Sequence, residues 1–546
     1  MNAILATSAL LLAATGPAHE HGHSPQLGKL SFESTCSPAA HARFETGLRW
    51  LHSFEYQEAE RSFTAAAEAD PGCAIADWGV AMSNYHPLWA APTPEELQRA
   101  KAALVKAKAA GAKSERERAF VAAIDTFYRD SDRLDHKTRV LAYSAAMGQL
   151  HERYPRDTEA AVFYALSLVA AGTMDTDPDF TKEKQAAAIL NHILAANPDH
   201  PGVAHYLIHS FDYPPLAELA LPAARRYAAI APDSAHAQHM PSHIFTRLGL
   251  WDEAIKSNLA AKSAAKAHAA AMAMSGAWDQ QLHAMDYLTY AYLQTGRDKD
   301  ARKVYDELKS IRQADPPSPT VAYAATAIPA RVLLERRQWA EAAALSLPAN
   351  LAGLAALEKH KWAIANVHFA KAVGAARSGQ LALAQGEVTK LAGIEKGLTI
   401  PPGEYDWGKQ AAIERQIAEG WIAFAQGKKD EAVRVMRAAA DLDDATEKHP
   451  VTPGAILPAR EQLGELLLAL GRPAEALSEY EASLKRAPGR LAGLYGAGKA
   501  AQLAGNSEAA AHYYAQLAKT TEQGDAGRTE IKDARAFAAS LSKVQH

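Results

Sequence analysis

The sequence predicts an all-α protein, a solenoid of helix-turn-helix repeats, and three observations lead there. Alanine dominates stretches such as 261–273 while valine and isoleucine are sparse, a bias that favours helix over sheet. A turn, then Ala-Ile or Ala-Leu, then proline about a dozen residues later recurs along the chain. Its 546 residues, 48% hydrophobic and 22% charged, suit several globular domains or one long repeat array.

Taken in order, the chain opens with an apolar run, Ile4 to Ala14, about half of the roughly 20 residues a membrane span needs. It ends at Gly16-Pro17-Ala18, a small-residue cleavage pattern, so residues 1–18 read as a signal peptide despite a leading Met1-Asn2-Ala3 without a basic residue. A periplasmic or secreted protein is expected. Residues 19–35 form a histidine-rich segment beginning His19-Glu20-His21. With a free amine ahead of it, that tripeptide could chelate Cu(II), although a solvated tail is the commoner role.

The repeats follow. Their clearest copies are FEYQEAERSFTAAAEADPG (54–72), LGLWDEAIKSN (248–258) and LGRPAEALSEYEASLKRAPG (470–489), and they resemble tetratricopeptide (TPR) repeats of 34 residues. Placing the alanine of the second helix at repeat position 20 selects Ala59, Ala254, Ala301, Ala342, Ala384, Ala432, Ala476 and Ala510. Repeats then start at 40, 235, 282, 323, 365, 413, 457 and 491, with further units near 74 and 201. Segments 84–95, 172–182, 313–320 and 398–408 are rich in Pro, Gly or Asp and read as loops. The 313–320 stretch divides a first array, 36–312, from a second, 313–546. In this register Cys36 and Cys73 lie at the same edge of adjacent hairpins, and an oxidising compartment would let them pair.

Several functions are excluded at this level. Acidic residues (62) slightly outnumber basic ones (58), and no long basic run offers a footprint for a phosphate backbone, so nucleic acid is not an expected partner. GxSxG, Walker A, GxGxxG and HExxH motifs are missing, and Ser263-Ala-Ala-Lys266 matches SxxK only by coincidence within an alanine-rich helix.

Histidine carries the chemical signal. His200, His205, His209, His236, His239 and His243 fall within 44 residues, where even spacing of the 22 histidines gives roughly two. His205 and His209 are four apart, as are His239 and His243, so each pair shares a helix face and has the form of a two-ligand metal clip. The pairs are 34 residues apart, at positions 5 and 9 of successive first helices, which line a TPR groove. They are expected to meet there around one transition metal ion, copper, zinc or iron. Asp212, His236, His283 and Asp286 stand by as groups around that ion or a second one. Tyr290 continues the series at position 9, and His52 and His86, both at position 13, are expected to close one end.

TCSPAA (35–40), CAIADWGVAMS (73–83), HPGVAHYLIHSFDYP (200–214), HMPSHIFTRLGLW (239–251) and KHPVTPGAILPAREQLGELLL (448–468) together resemble a family of exported bacterial TPR proteins, across nearly the whole mature chain. The resemblance implies the solenoid and the export, and no particular activity. In the last segment and just before it, Glu447, His449, Arg460 and Glu461 read as a helix entry, with Glu461 alone facing the groove. The functional expectation is a metal-binding TPR solenoid, either a metal-dependent enzyme or a metal carrier. The alternative is a scaffold without metal whose groove takes a peptide or small molecule.

Overall fold

Helical hairpins follow one another through the computed structural model, which describes residues 25–544 apart from Trp89 and Thr176. The expected leader and the His19-Glu20-His21 tail lie outside the described residues. The first hairpins are Pro38–His52 with Tyr56–Ala69, Ala74–Ser83 with Pro94–Ala110, Glu115–Tyr128 with His136–Arg153, and Thr158–Gly172 with Thr181–Ala196. Next come Pro201–Phe211 with Ala217–Ile230, the broken first helix Ala235–His239 and Pro241–Arg247 with Trp251–Ala271, and Asp279–Gln294 with Asp298–Ser310. Pro319–Leu334 is followed by a single short turn of partner, Trp339–Ala343. Regular pairing resumes with Ala365–Arg377 and Leu381–Gly397, Trp407–Ala425 and Lys429–Asp444, Ala459–Ala469 and Pro473–Arg486, and Leu491–Leu503 and Ser507–Thr520. A last helix spans Thr529–Val544. Strand among the described residues is confined to Ala277–Trp278 paired in parallel with Ala314–Asp315. The fold is the all-α, TPR-like solenoid that the repeats imply.

Packing explains the repeat signature. All eight position-20 alanines are completely buried, because no larger side chain fits where the two helices of a hairpin touch. Aromatic rings of second helices seat in notches left by glycine on flanking first helices. A Cβ on Gly79 would stand 2.4 Å from the Phe63 ring, and one on Gly496 would stand 2.2 Å from the Tyr480 ring. Between the helices of a hairpin the chain takes positive φ, as at Gly249 (68°) and Gly471 (73°), which is why glycine recurs at that point. Phe54, at φ 54°, occupies the same kind of turn without being glycine.

Two hairpins, 115–153 and 158–196, were not in the repeat register. Seven- and eight-residue turns, Arg129–Asp135 and Thr173–Phe180, stretch them beyond the 34-residue spacing. At 313–320 the packing runs on, since Pro319–Leu334 lies against Asp279–Gln294 as a further layer of the array.

The array curls back on itself. Trp251 Nε1 donates to the Gly489 carbonyl at 2.9 Å, Arg490 donates to Tyr290 Oη at 2.7 Å, and Arg528 pairs with Asp298. This brings the 446–458 connection over the inner face of the first half, where the histidines lie.

Candidate metal centre

Each histidine pair sits on a first helix for the reason its spacing gave, one helical turn apart on one face. Pro201 opens the helix of His205 and His209 at a position where its missing N–H costs nothing. Pro241 removes one hydrogen bond between His239 and His243, yet Met240 stays helical (φ −54°, ψ −36°), so those two rings still lie on one side, edge to face. His236 lies a turn earlier, and His283 belongs to the first turns of the next first helix.

The six rings sort into two triads. His205, His209 and His236 bring their ring nitrogens within 4.8 Å of one another, and so do His239, His243 and His283. This corrects the expectation that His205, His209, His239 and His243 surround a single ion. Each pair at positions 5 and 9 instead recruits the position 2 histidine of the following repeat, because the first helices are staggered along the array. All six are buried, His209 being the most exposed at 7%.

Hydrogen bonds fix the tautomers. His205 Nδ1 donates to the His52 carbonyl at 2.6 Å, leaving a lone pair on Nε2, which stands 3.1 Å from His209 Nε2 and 3.2 Å from His236 Nε2. Asn258 Nδ2 donates to the Ala254 carbonyl at 2.8 Å, so Asn258 turns Oδ1 toward His239 Nδ1, 2.7 Å away, and that nitrogen carries the proton. His243 Nδ1 likewise donates to Asp212 Oδ2 at 2.8 Å. His239 Nε2 and His243 Nε2 are therefore both bare, and they face each other at 3.1 Å. Two lone pairs at that distance repel unless a cation lies between them.

A proton is a poor candidate for that cation. Burial depresses the pKa of His205, His209, His236, His239, His243 and His283, with neighbouring imidazoles adding to the effect in all but His243, where Asp212 opposes it. A transition metal fits better: with metal–nitrogen bonds of about 2 Å, tetrahedral ligands stand about 3.3 Å apart. A backbone carbonyl, an amide and a carboxylate behind the ligand rings are the usual outer partners of metal-bound histidine.

The other expected groups divide. Asp212 stands behind His243 and also accepts from Arg247 Nε (2.8 Å) and Lys448 Nζ (3.4 Å). Asp286 is not brought to the triads: Arg331 Nε, 3.0 Å away, holds it, because the neighbouring first helix places a guanidinium there. Tyr290 is likewise taken by Arg490 rather than by a metal. Glu461 is buried but bidentately paired with Arg490, so it offers nothing to the groove. His52 does close one end, through its carbonyl, while its ring joins Glu159 (2.8 Å) and Tyr206 (2.9 Å) in a cluster with His200. His86 does not, since it packs on Tyr56 beyond Phe54.

Sequence reasoning missed Asn258, Tyr287, Lys448 and Phe54. Asn258 lies on a second helix, and Tyr287 sits between the groove positions, where its hydroxyl reaches His243 and the carbonyls of Pro450 and Thr452. Lys448 arrives from 236 residues away, its pKa lowered to about 8 by burial against the pull of Asp212. Glu447, read as part of a helix entry, pairs with Arg247 at the rim of the site. Phe54 lays its ring 4.4 Å from His205 and 5.5 Å from His209. That contact is a physical reason to hold a non-glycine residue at positive φ, a conformation that costs about 1 kcal/mol.

These features define a class, a TPR-like helical-repeat scaffold with a buried cluster of neutral histidines. The chain matches no protein-family model and no curated protein. Among solved structures it is similar to a monomeric mutant of IFIT1 with Gppp-AAAA (14% identity over 89% of this chain and 98% of that one, TM-score 0.38). It is also similar to the human IFIT1 dimer with m7Gppp-AAAA (13%, 82% and 90%, TM-score 0.35) and to the APC/C hetero-tetramer Cut9-Hcn1 (11%, 91% and 75%, TM-score 0.34). With TM-scores this low, the fold assignment rests on the chain's own hairpins.

Proposed function

We propose that this protein binds a transition metal, copper, zinc or iron, through its histidine triads. The observation that carries the reading is the 3.1 Å approach of His239 Nε2 and His243 Nε2 with both protons committed elsewhere. Three imidazoles per ion leave a coordination position for an exogenous ligand, which favours a metal-dependent enzyme over a carrier that closes the shell. The peptide-scaffold alternative is less well supported, because the chain's own 447–455 segment lies over this part of the inner face.

The same reading places the protein in the periplasm or outside the cell, with 1–18 as leader, 19–35 as histidine-rich segment and arrays at 36–312 and 313–546. Support comes from the Cys36–Cys73 disulfide, whose Cα atoms are 4.8 Å apart, since such bonds persist in oxidising compartments.

Elemental analysis of protein purified after growth with copper, zinc, iron and manganese tests the metal. Bound metal is expected, with most of the second-triad ion lost in His239→Ala and none lost in His151→Ala, whose ring packs on Tyr164 away from the cluster. Metal-free wild type, or full occupancy in a His205→Ala/His239→Ala protein, overturns the reading in favour of the scaffold.

A further inference from the structure

A third polar group adjoins the first triad, joined to it by the His52 carbonyl that orients His205, and it has a different composition. His52 ends the first helix, Glu159 lies in the first turn of Thr158–Gly172, and His200 immediately precedes Pro201–Phe211. Ligand atoms of these three residues lie within 4.8 Å of one another, and each residue is at most 1% exposed. Glu159 turns one oxygen to each ring: Oε2 stands 2.8 Å from His52 Nε2, and Oε1 stands 2.9 Å from His200 Nε2. The surroundings are shaped for this approach. A Cβ on Gly202 would stand 2.4 Å from His52 Nδ1, so the ring fills space that glycine leaves. Phe163 stacks on the same ring, and Tyr206 Oη stands 2.9 Å from Nδ1, where it can accept the ring proton and leave the Nε2 lone pair facing Glu159.

Charge sets this group apart. Asp286 and Glu461 are buried against arginines. Glu55, which accepts from Ser234 and from the His236 amide, is pushed up to about 8 by burial and so stays protonated at neutral pH. Glu159 follows neither course. Burial pushes its carboxyl up, yet the two imidazoles outweigh burial and hold it below the usual carboxylate range. An ionised carboxylate at this depth needs positive charge beside it, and among the described residues the two histidines are the groups in ion-pair range. A proton on His52 is opposed by the burial of that ring, which lowers its pKa. A divalent ion meets the need, and beside this carboxylate it leaves one net positive charge, against two in an all-imidazole triad. Ligand atoms at right angles on an ion with bonds of about 2 Å stand about 2.8 Å apart, close to both nitrogen–oxygen distances.

Beyond the triads and independently of them, we propose that His52, Glu159 and His200 hold a zinc ion through two imidazole nitrogens and both carboxylate oxygens. Four protein donors close the shell, so this ion is structural: it ties together segments that lie 107 and 41 residues from Glu159 in sequence.

Zinc added to metal-stripped full-length protein tests this. The double variant His209→Ala/His283→Ala breaks both triads and spares His205, which bonds to the His52 carbonyl. After dialysis it should keep one zinc per chain, with an X-ray absorption spectrum of two imidazoles and oxygen, and zinc should raise its unfolding temperature. Adding Glu159→Gln should remove that ion. A double variant without zinc, zinc that survives Glu159→Gln, or an all-imidazole shell overturns the third site. Wild type that binds more zinc than a zinc-free double variant keeps the triads while losing this site. Wild type that holds the same single zinc as the double variant keeps this site while losing the triads. The zinc content and spectrum of the double variant decide the matter even if Glu159→Gln misfolds.

Discussion

Two stretches of the same inner face solve the burial of polar groups in opposite ways. In the 201–283 stretch, positions 5 and 9 of two repeats and position 2 of the repeat after each carry histidines kept neutral by burial, with tautomers set by a carbonyl, an amide and Asp212. In the repeats that follow, the corresponding inner face carries charged groups that neutralise one another: Asp286 with Arg331, and Glu461 and Glu335 with Arg490. The second solution is closed, because every full charge has its partner. The first is open, since the Nε2 lone pairs of His239 and His243 face each other at 3.1 Å with both ring protons committed elsewhere. Fold alone thus says little about function here, and the identity of three side chains per repeat separates a structural stretch from a chemical one.

The largest effect should come from breaking the closed stretch. Arg490 is fully buried and serves Glu461, Glu335 and Tyr290 at once, so Arg490→Met leaves two carboxylates uncompensated. A loss of about 3–5 kcal/mol is expected in urea unfolding. His205→Ala in metal-free protein should cost less, about 1–3 kcal/mol, since it removes a neutral hydrogen-bonding group. Equal losses would erase the distinction between the two stretches.

Within the open stretch, Asp212→Asn sharpens the contrast between the triads. Asp212 hydrogen-bonds to the second triad, at His243, and reaches the first only through its charge at His209, whereas the first is oriented by the His52 carbonyl. Loss of an outer-shell carboxylate typically weakens metal binding about 10–100-fold. Chelator competition should show that weakening for one ion and not for the other. Parallel weakening of both, or of neither, contradicts the assignment of Asp212 to one triad.

Much of this was readable in the chain. The alanine register placed eight buried contacts correctly because position 20 tolerates no larger side chain, and the i, i+4 histidine pairs appeared on shared faces as helix geometry requires. The grouping of the histidines was not readable. Spacing of 34 puts like positions side by side, but the stagger between helices decides which rings touch, and it brought position 2 into each triad. Asp286 was misread for a related reason: its partner Arg331 belongs to a helix 45 residues on. Lys448 and Glu447 reach the site only because the solenoid curls back, a property of many small inter-repeat rotations that no single motif encodes.

Glu414 gives the smallest and most specific test, because it occupies position 2 of its repeat, the position His236 and His283 hold in theirs. Its carboxyl is 3% exposed and Oε1 accepts from Gln410 at 3.4 Å. Burial raises its pKa from 4.5 to about 8, against the pull of Gln410 and Arg331 and with a further push from Asp443. The folded state therefore holds a proton that the unfolded chain releases near pH 4.5. Its contribution to stability is complete below that pH and is lost as pH rises through about 8, at about 1.4 kcal/mol per pH unit. Glu414→Gln keeps the shape and cannot ionise, so its unfolding free energy should decline less steeply than that of wild type between pH 5 and 8, and above pH 8 the variant should be the more stable protein. Parallel pH profiles for the two proteins would mean that Glu414 ionises freely in the folded state. Position 2 would then accommodate charge in the second half of the array, and the neutrality of His236 and His283 would need a cause other than the burial that this position imposes.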